Sequence, residues 1–141
     1  MQKAVELGVY EIVPILSCRC VKRNTNTDRL QKIAESAAKQ SHRGIIPKIH
    51  PLISIDEAYI QAQHLDAAII CHENAEYSLS AFLRRPDSNL ASLGCFIGPE
   101  GGFSTDETKI ALPKVSLGRR ILRAETAAIA ALANIFYELE S

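Results

Sequence analysis

Apolar positions along this chain fall into short blocks, and the spacing inside each block sets the element it predicts. Residues 2–7 (QKAVEL) read as the tail of a helix that stops at Gly8. The run Val9–Leu16 then reads as a strand. Over residues 24–40, Leu30, Ile33, Ala34, Ala37 and Ala38 recur at helical spacing behind an Asn/Thr/Asp cluster suited to capping the start. Ser41–Gly44 ends that helix, and Ile45–Ile49 is extended, with Pro47 suited to an edge or a strand end. Ser54-Ile55-Asp56-Glu57 opens a helix running to about Gln63. Asp66–Cys71 is a buried strand, residues 76–85 a helix, and Ala91–Ile97 a further strand. A short helix from about Thr105, stopped by Pro113, precedes a short strand at Val115–Leu117. Glu125–Leu139 is an alanine-rich helix, apolar around much of its circumference, which has to be buried in the core or in an interface.

Strands alternating with helices predict an α/β fold: a parallel sheet with helices on both faces, in one domain spanning residues 1–141. There is no internal repeat and no low-complexity linker. Ligands of such sheets sit at the carboxyl ends of the strands. Three strand ends are therefore of interest: His72-Glu73, Gly98–Gly102 and Gly118–Arg123.

The middle one reads FIGPEGGFSTDE over residues 96–107. Glycines behind a strand permit backbone angles closed to other residues and let a ligand approach the main chain. GPEGG is not GxGxxG, and no Lys-Ser/Thr follows it, so neither a dinucleotide fingerprint nor a Walker loop is present. On its own it reads equally as a plain turn. The last strand end, LGRRILRAETA over residues 117–127, adds Arg119, Arg120 and Arg123, interrupted by Ile121 and Leu122. A short loop that turns apolar and cationic groups toward one place suits a ligand with a flat apolar part and an anionic partner. Glu125, in the first turn of the next helix, is also favoured there by the helix dipole alone.

Composition narrows the function classes. The formal net charge is zero, which argues against gripping nucleic acid by bulk electrostatics and leaves only local basic patches. Cys18-Arg19-Cys20 is a CxC, Cys71 and Cys95 sit in apolar runs, and no second pair has zinc-finger spacing. Reduced thiols are expected. His42, His50, His64 and His72 are scattered without ligand spacing, and no metal is expected. No signal peptide is recognisable, and no apolar run approaches the roughly 20 residues of a membrane span, so the expectation is a cytoplasmic protein with no membrane partner.

Four motifs, in order, carry a resemblance: ELGV (6–9), ESAAKQSHR (35–43), IGPEGGF (97–103) and LGRRILRAETAA (117–128). Together they resemble the RsmE family, ribosomal RNA small-subunit methyltransferases of the SPOUT class, over nearly the whole chain. The resemblance implies a parallel α/β sheet whose C-terminal part is threaded as a deep trefoil knot, S-adenosylmethionine as cofactor, a homodimer, and methylation of N3 of a uridine in 16S ribosomal RNA of the small subunit. It implies a cofactor pocket formed by His72 and Glu73, by Ile97, Gly98, Pro99, Glu100, Gly101 and Gly102, and by Leu117, Gly118, Ile121 and Leu122. Glu100 either meets the polar part of the cofactor or braces the knot. Arg123 is the candidate for stabilising negative charge on the base, and Glu125, or else Glu100, for accepting its proton. Arg19, Lys22, Gln40 and Arg43 are expected to face RNA phosphate.

Set against the family, residues 1–141 are expected to lack an N-terminal PUA-like RNA-binding domain, the first strand and most of the first helix of the methyltransferase domain, and part of the segment between GPEGGF and VSLG. A non-catalytic dimeric knot module that still binds the cofactor is therefore the alternative function. An unrelated α/β phosphate-binding protein is a third.

Overall fold

A computed structural model of the chain describes residues 1–20, 24–86, 90–109 and 111–139. After a one-turn helix α1 (Gln2–Glu6), the extended run expected over residues 9–16 is cut in two by Pro14, which has no N–H to give a ladder. It leaves β1 (Glu11–Ile12) and β2 (Ile15–Leu16). Helix α2 (Thr27–Gln40) starts at Asn26, whose side chain accepts the N–H of Arg29 at 2.9 Å. Strands β3 (Lys48–Ile49) and β4 (Ile53–Ser54) follow, and β4 was not expected. β1 pairs with β3 and β2 with β4, both parallel. Glu11 stands opposite Lys48 but Ile15 opposite Ile53, so the second strand carries one extra residue around Pro51, a bulge.

Helix α3 (Ile55–Ala62) opens on a complete capping box, Ser54 with Glu57, as its sequence predicts. Next come β5 (Ala67–Cys71), β6 (Tyr77–Ser78), α4 (Leu79–Leu83), β7 (Leu93–Ile97), β8 (Lys114–Ser116) and α5 (Ala124–Leu139). The helix expected over residues 76–85 is shorter, because Tyr77-Ser78 pairs with β8 before Ser78 caps α4. Among the described residues between Thr105 and Pro113 no helix forms. That segment is a pair of turns tied by reciprocal bonds between Ser104 and Glu107.

The main sheet has the order β6-β8-β5-β7, with every pair parallel. β8, the last strand in the chain, lies between two strands that precede it. Neighbouring residues on β5 point to opposite faces. Ile70 packs with Tyr59 and Ala62 of α3, Phe96 and Phe103. Ile69 packs with Leu79, Phe82 and Leu83 of α4, Val115, and Ala131 and Ile135 of α5. Helices thus cover both faces. A third cluster joins Val5 of α1 to Ala34, Ala37 and Ala38 of α2. Between β1 and β7 runs a groove of about 610 Å³, lined by residues of both. It separates the two-stranded ladders from the main sheet. On α5 only Ala131 and Ile135 are buried, while Ile129, Tyr137 and Leu139 are exposed.

Candidate functional site

β5, β7 and β8 are parallel neighbours, so their carboxyl ends open on one side of the sheet, and the loops that leave them converge there. The first is fixed by His72, whose N–H donates to the Val115 carbonyl at 2.9 Å, while its Nδ1 accepts the N–H of Asn74 at 3.2 Å. The second turns back on itself between Pro99 and Gly102. The Gly102 N–H reaches the Pro99 carbonyl at 2.8 Å, and Gly102 takes φ +67°, the left-handed region. The third leaves β8 through Ser116, whose hydroxyl accepts the Gly118 N–H at 3.1 Å and donates to the Gly118 carbonyl at 3.0 Å. Gly118 has φ +124°, which a side chain rarely adopts.

Between these loops lies an open cavity of about 270 Å³. Its size is near the lower end for small-molecule sites, roughly 300 Å³. All twelve residues expected to form the cofactor pocket line it: His72, Glu73, Ile97, Gly98, Pro99, Glu100, Gly101, Gly102, Leu117, Gly118, Ile121 and Leu122. Ile121 is 81% exposed, a large apolar side chain left at the mouth with nothing of this chain over it. Arg19, Arg120 and Arg123 line the cavity together with Glu73 and Glu100, so residues of both charge signs surround it.

The other expected residues scatter. Arg123 lines the cavity, and its carbonyl accepts the N–H of Ala127 at 2.8 Å at the start of α5. Glu125 is exposed in the first turn of α5 and lies outside the lining. Arg19 is in the cavity wall, its Nη1 donating to the Gly101 carbonyl at 2.6 Å. Gln40 is exposed at the end of α2. Arg43 is committed to backbone: it donates to the carbonyls of Val5 (2.9 Å), Val9 (2.9 Å) and Gly8 (3.1 Å). Its guanidinium closes the end of α1 with these three bonds. Lys22 lies outside the described residues.

Sequence reasoning missed Phe103, Ala124 and Ala127 as lining residues, and it missed Glu107 altogether. The Ser104-x-x-Glu107 spacing is a capping-box signature that could have exposed the turn. The thiols of Cys71, a lining residue, and Cys95 are 3.5 Å apart. The hydrogen bond shared with Cys71, together with burial, pushes the Cys95 thiol well above its ordinary value, so it stays protonated at neutral pH. All four cysteines are free. Among the described residues no three His, Cys, Asp or Glu side chains group as a metal site, and no helix is long and apolar enough to cross a membrane.

Comparisons with known proteins converge. Residues 1–136 match the family model described as the RNA methyltransferase domain. The ribosomal RNA small subunit methyltransferase E of Rickettsia conorii is 35% identical over 139 residues, covering 94% of this chain and 55% of that protein. The enzyme of the same name from Mesomycoplasma hyopneumoniae is 37% identical, covering 92% of this chain and 59% of its own length. The chain therefore spans little more than half of these relatives. Among solved structures, the ribosomal RNA small subunit methyltransferase E from Neisseria gonorrhoeae, bound to S-adenosyl methionine, superposes with a TM-score of 0.83 at 36% identity, over 96% of this chain and 58% of that one. A putative methyltransferase from Legionella pneumophila in complex with the same cofactor superposes with a TM-score of 0.85 at 28% identity, again over 96% and 58%.

Proposed function

The chain belongs to the RNA methyltransferase domain family, and on that premise we propose that it is the catalytic domain of an S-adenosylmethionine-dependent methyltransferase acting on N3 of a uridine in 16S ribosomal RNA. The observation that carries this reading is the single cavity on which all three strand-end loops converge, walled largely by backbone, with Gly102 and Gly118 at positive φ. A site read by main-chain groups needs glycine more than it needs particular side chains, which accounts for GPEGG at the end of a buried strand.

The residues present fit the cofactor. Main-chain N–H and C=O groups of residues 98–102 and 117–122 can take the adenine edge. Ile121 and Leu122 offer apolar surface to its face, and the carboxylates of Glu73 and Glu100 suit its cationic parts. Bound there, S-adenosylmethionine supplies an electrophilic methyl on a sulfonium. Attack by N3 requires its proton to leave and the resulting anion to be held. Arg123, in the wall, holds the negative charge of the base. Glu125, in the first turn of α5 behind Arg123, is the candidate to accept the proton, and Glu100, in the cavity lining, is the alternative. Arg19, Gln40 and Arg43 are the candidates to meet RNA phosphate, and Arg120 adds a further cation from the cavity lining.

The partners follow from the same reading. The substrate is the small ribosomal subunit or its RNA, and the compartment is the cytoplasm. The exposed apolar residues of α5, Ile129 and Tyr137, supply a homodimer face. The seating of β8 between β5 and β6 supports a threaded, knotted C-terminal segment.

Isothermal titration with S-adenosylhomocysteine tests the proposal, with a methyl-transfer assay on small-subunit RNA beside it. Micromolar binding with transfer is the expected result. Binding without transfer assigns the chain to the non-catalytic module. No binding by the folded chain, or displacement by free phosphate, overturns the cofactor site.

A further inference from the structure

Glu107 stands outside the cavity wall, yet it connects two segments that form it. Its carboxylate accepts the N–H of Ser104 at 2.8 Å, closing the local capping box. The same carboxylate reaches across to the loop behind β2, 90 residues away in sequence. There it accepts the N–H of Cys18 at 2.8 Å, the Cys18 thiol at 3.2 Å and the hydroxyl of the buried Ser17 at 3.3 Å. Its main chain is held as well, because the Tyr59 hydroxyl of α3 donates to the Glu107 carbonyl at 2.6 Å. On the other side of this junction Arg19 crosses in the opposite direction. Its guanidinium donates to the carbonyl of Gly101, at the tip of the glycine loop, and its aliphatic stem lies against the Gly101 Cα, where an added Cβ would meet it at 3.4 Å.

We infer that Glu107 is a positioning residue for the cofactor site: it clamps the Ser17–Cys20 loop to the glycine loop and thereby holds Arg19 as a wall of the cavity. Resting on the methyltransferase reading, the inference adds a residue that touches neither cofactor nor RNA. The mechanism is geometric. Arg19 is a long side chain with rotamers to lose, and a second attachment at Ser17 and Cys18 removes most of the loop's freedom before ligand arrives. Loss of the clamp leaves the wall to be ordered by the ligand itself, at the expense of affinity.

Glu107→Gln is the informative change, because it keeps size and packing. An amide has one acceptor oxygen, so its NH2 must face the N–H of either Ser104 or Cys18, and one attachment fails. The first measurement needs no ligand: iodoacetamide labelling of each cysteine, read by peptide mapping. Cys20 is half-buried in the clamped loop, its thiol directed at the Ile15 carbonyl, and it does not touch Glu107. We expect Glu107→Gln to label Cys20 about tenfold faster while Cys71 and Cys95 stay at the wild-type rate, because only the loop opens. Unchanged Cys20 labelling overturns the clamp. Equal acceleration of Cys71 and Cys95 overturns it too, since the effect is then global.

The second measurement is a double-mutant cycle on S-adenosylhomocysteine affinity with Glu107→Gln and Arg19→Ala. If Glu107 acts through Arg19, each variant weakens binding about tenfold and the pair together no more than Arg19→Ala alone. Multiplicative losses, or no loss in Glu107→Gln, overturn the positioning role. If the wild-type chain binds no S-adenosylhomocysteine, the cofactor reading falls by itself. Faster Cys20 labelling would then still support Glu107 as the residue that sets this wall, for a different ligand.

Discussion

Replacing Arg43 with alanine removes a guanidinium that donates to three carbonyls at the end of α1, those of Val5, Gly8 and Val9. Arg43 is delivered there by the end of α2. His42 takes φ 55° in the left-handed region, the His42 N–H bonds to the Lys39 carbonyl, and the Arg43 N–H bonds to the Ala38 carbonyl at 2.9 Å, a Schellman closure built without glycine. A hydrogen bond from a charged donor is worth about 1.5 kcal/mol or more, but these acceptors lie in a partly exposed segment and regain water when released, so the three together amount to about 2–3 kcal/mol. α1 has only five residues and cannot persist on its own helical bonds. If it detaches, fully buried Val5 leaves Ala34, Ala37 and Ala38, adding about 1.5 kcal/mol of lost burial. The expected loss for Arg43→Ala is therefore about 3.5–4.5 kcal/mol in urea unfolding, with amide exchange fastest at residues 3–9. Arg43→Lys should recover less than half, since an ammonium cannot fork between three carbonyls. A change under about 0.5 kcal/mol, the ordinary range for a surface substitution, would refute this account.

Two further changes follow from the geometry. Partial burial raises the Glu107 carboxyl, but the bonds from Ser104, Cys18 and Ser17 outweigh it and hold the group down at about 2 against an ordinary 4.5. A depressed carboxyl stabilises the folded state above pH 4.5 and loses that contribution as pH falls toward 2. The full difference corresponds to about 3 kcal/mol. Water screens this partly exposed group and reduces it to about 1–2 kcal/mol. The stability gap between wild type and Glu107→Gln should therefore close between those two pH values, and a gap independent of pH would contradict the assignment. Gly118→Ala places a side chain at φ +124°, a strain of about 1–3 kcal/mol in the loop behind β8. S-adenosylhomocysteine titration should show at least a tenfold weaker site, and unaltered affinity would show that this glycine is not needed for the loop's shape.

How much of this was legible depended on how local each cause is. The 14 residues of α2 repeat their apolar spacing over several turns, and Ser54 announces α3 within four residues, so both were visible in the sequence. The three strand ends were visible because parallel topology forces their loops together and glycine marks two of them. β4 and β6 have two residues each, too few to carry a period, and pairing alone makes them strands. The tasks of Arg43 and Glu107 were hidden for a different reason. Their partners lie 34 to 38 and up to 90 residues away, and nothing in an isolated Arg or Glu states which backbone will come to meet it. The sequence suggested only a phosphate-facing basic residue at Arg43, and the three carbonyls it meets are visible only in the fold.

The seat of β8 between β5 and β6 governs when the molecule can become whole. A chain leaving the ribosome has made β5, β6 and β7 long before residues 114–116 emerge. β6 has no other strand among the described residues to pair with, so it waits for a neighbour not yet translated. The strand that completes the sheet also delivers Leu117, Gly118 and the arginine loop to the cavity. Sheet and binding site therefore mature in one late event, after long-range contacts that are slow to form. A nascent chain halted before residue 114 carries most of its hydrophobic core and none of its third wall.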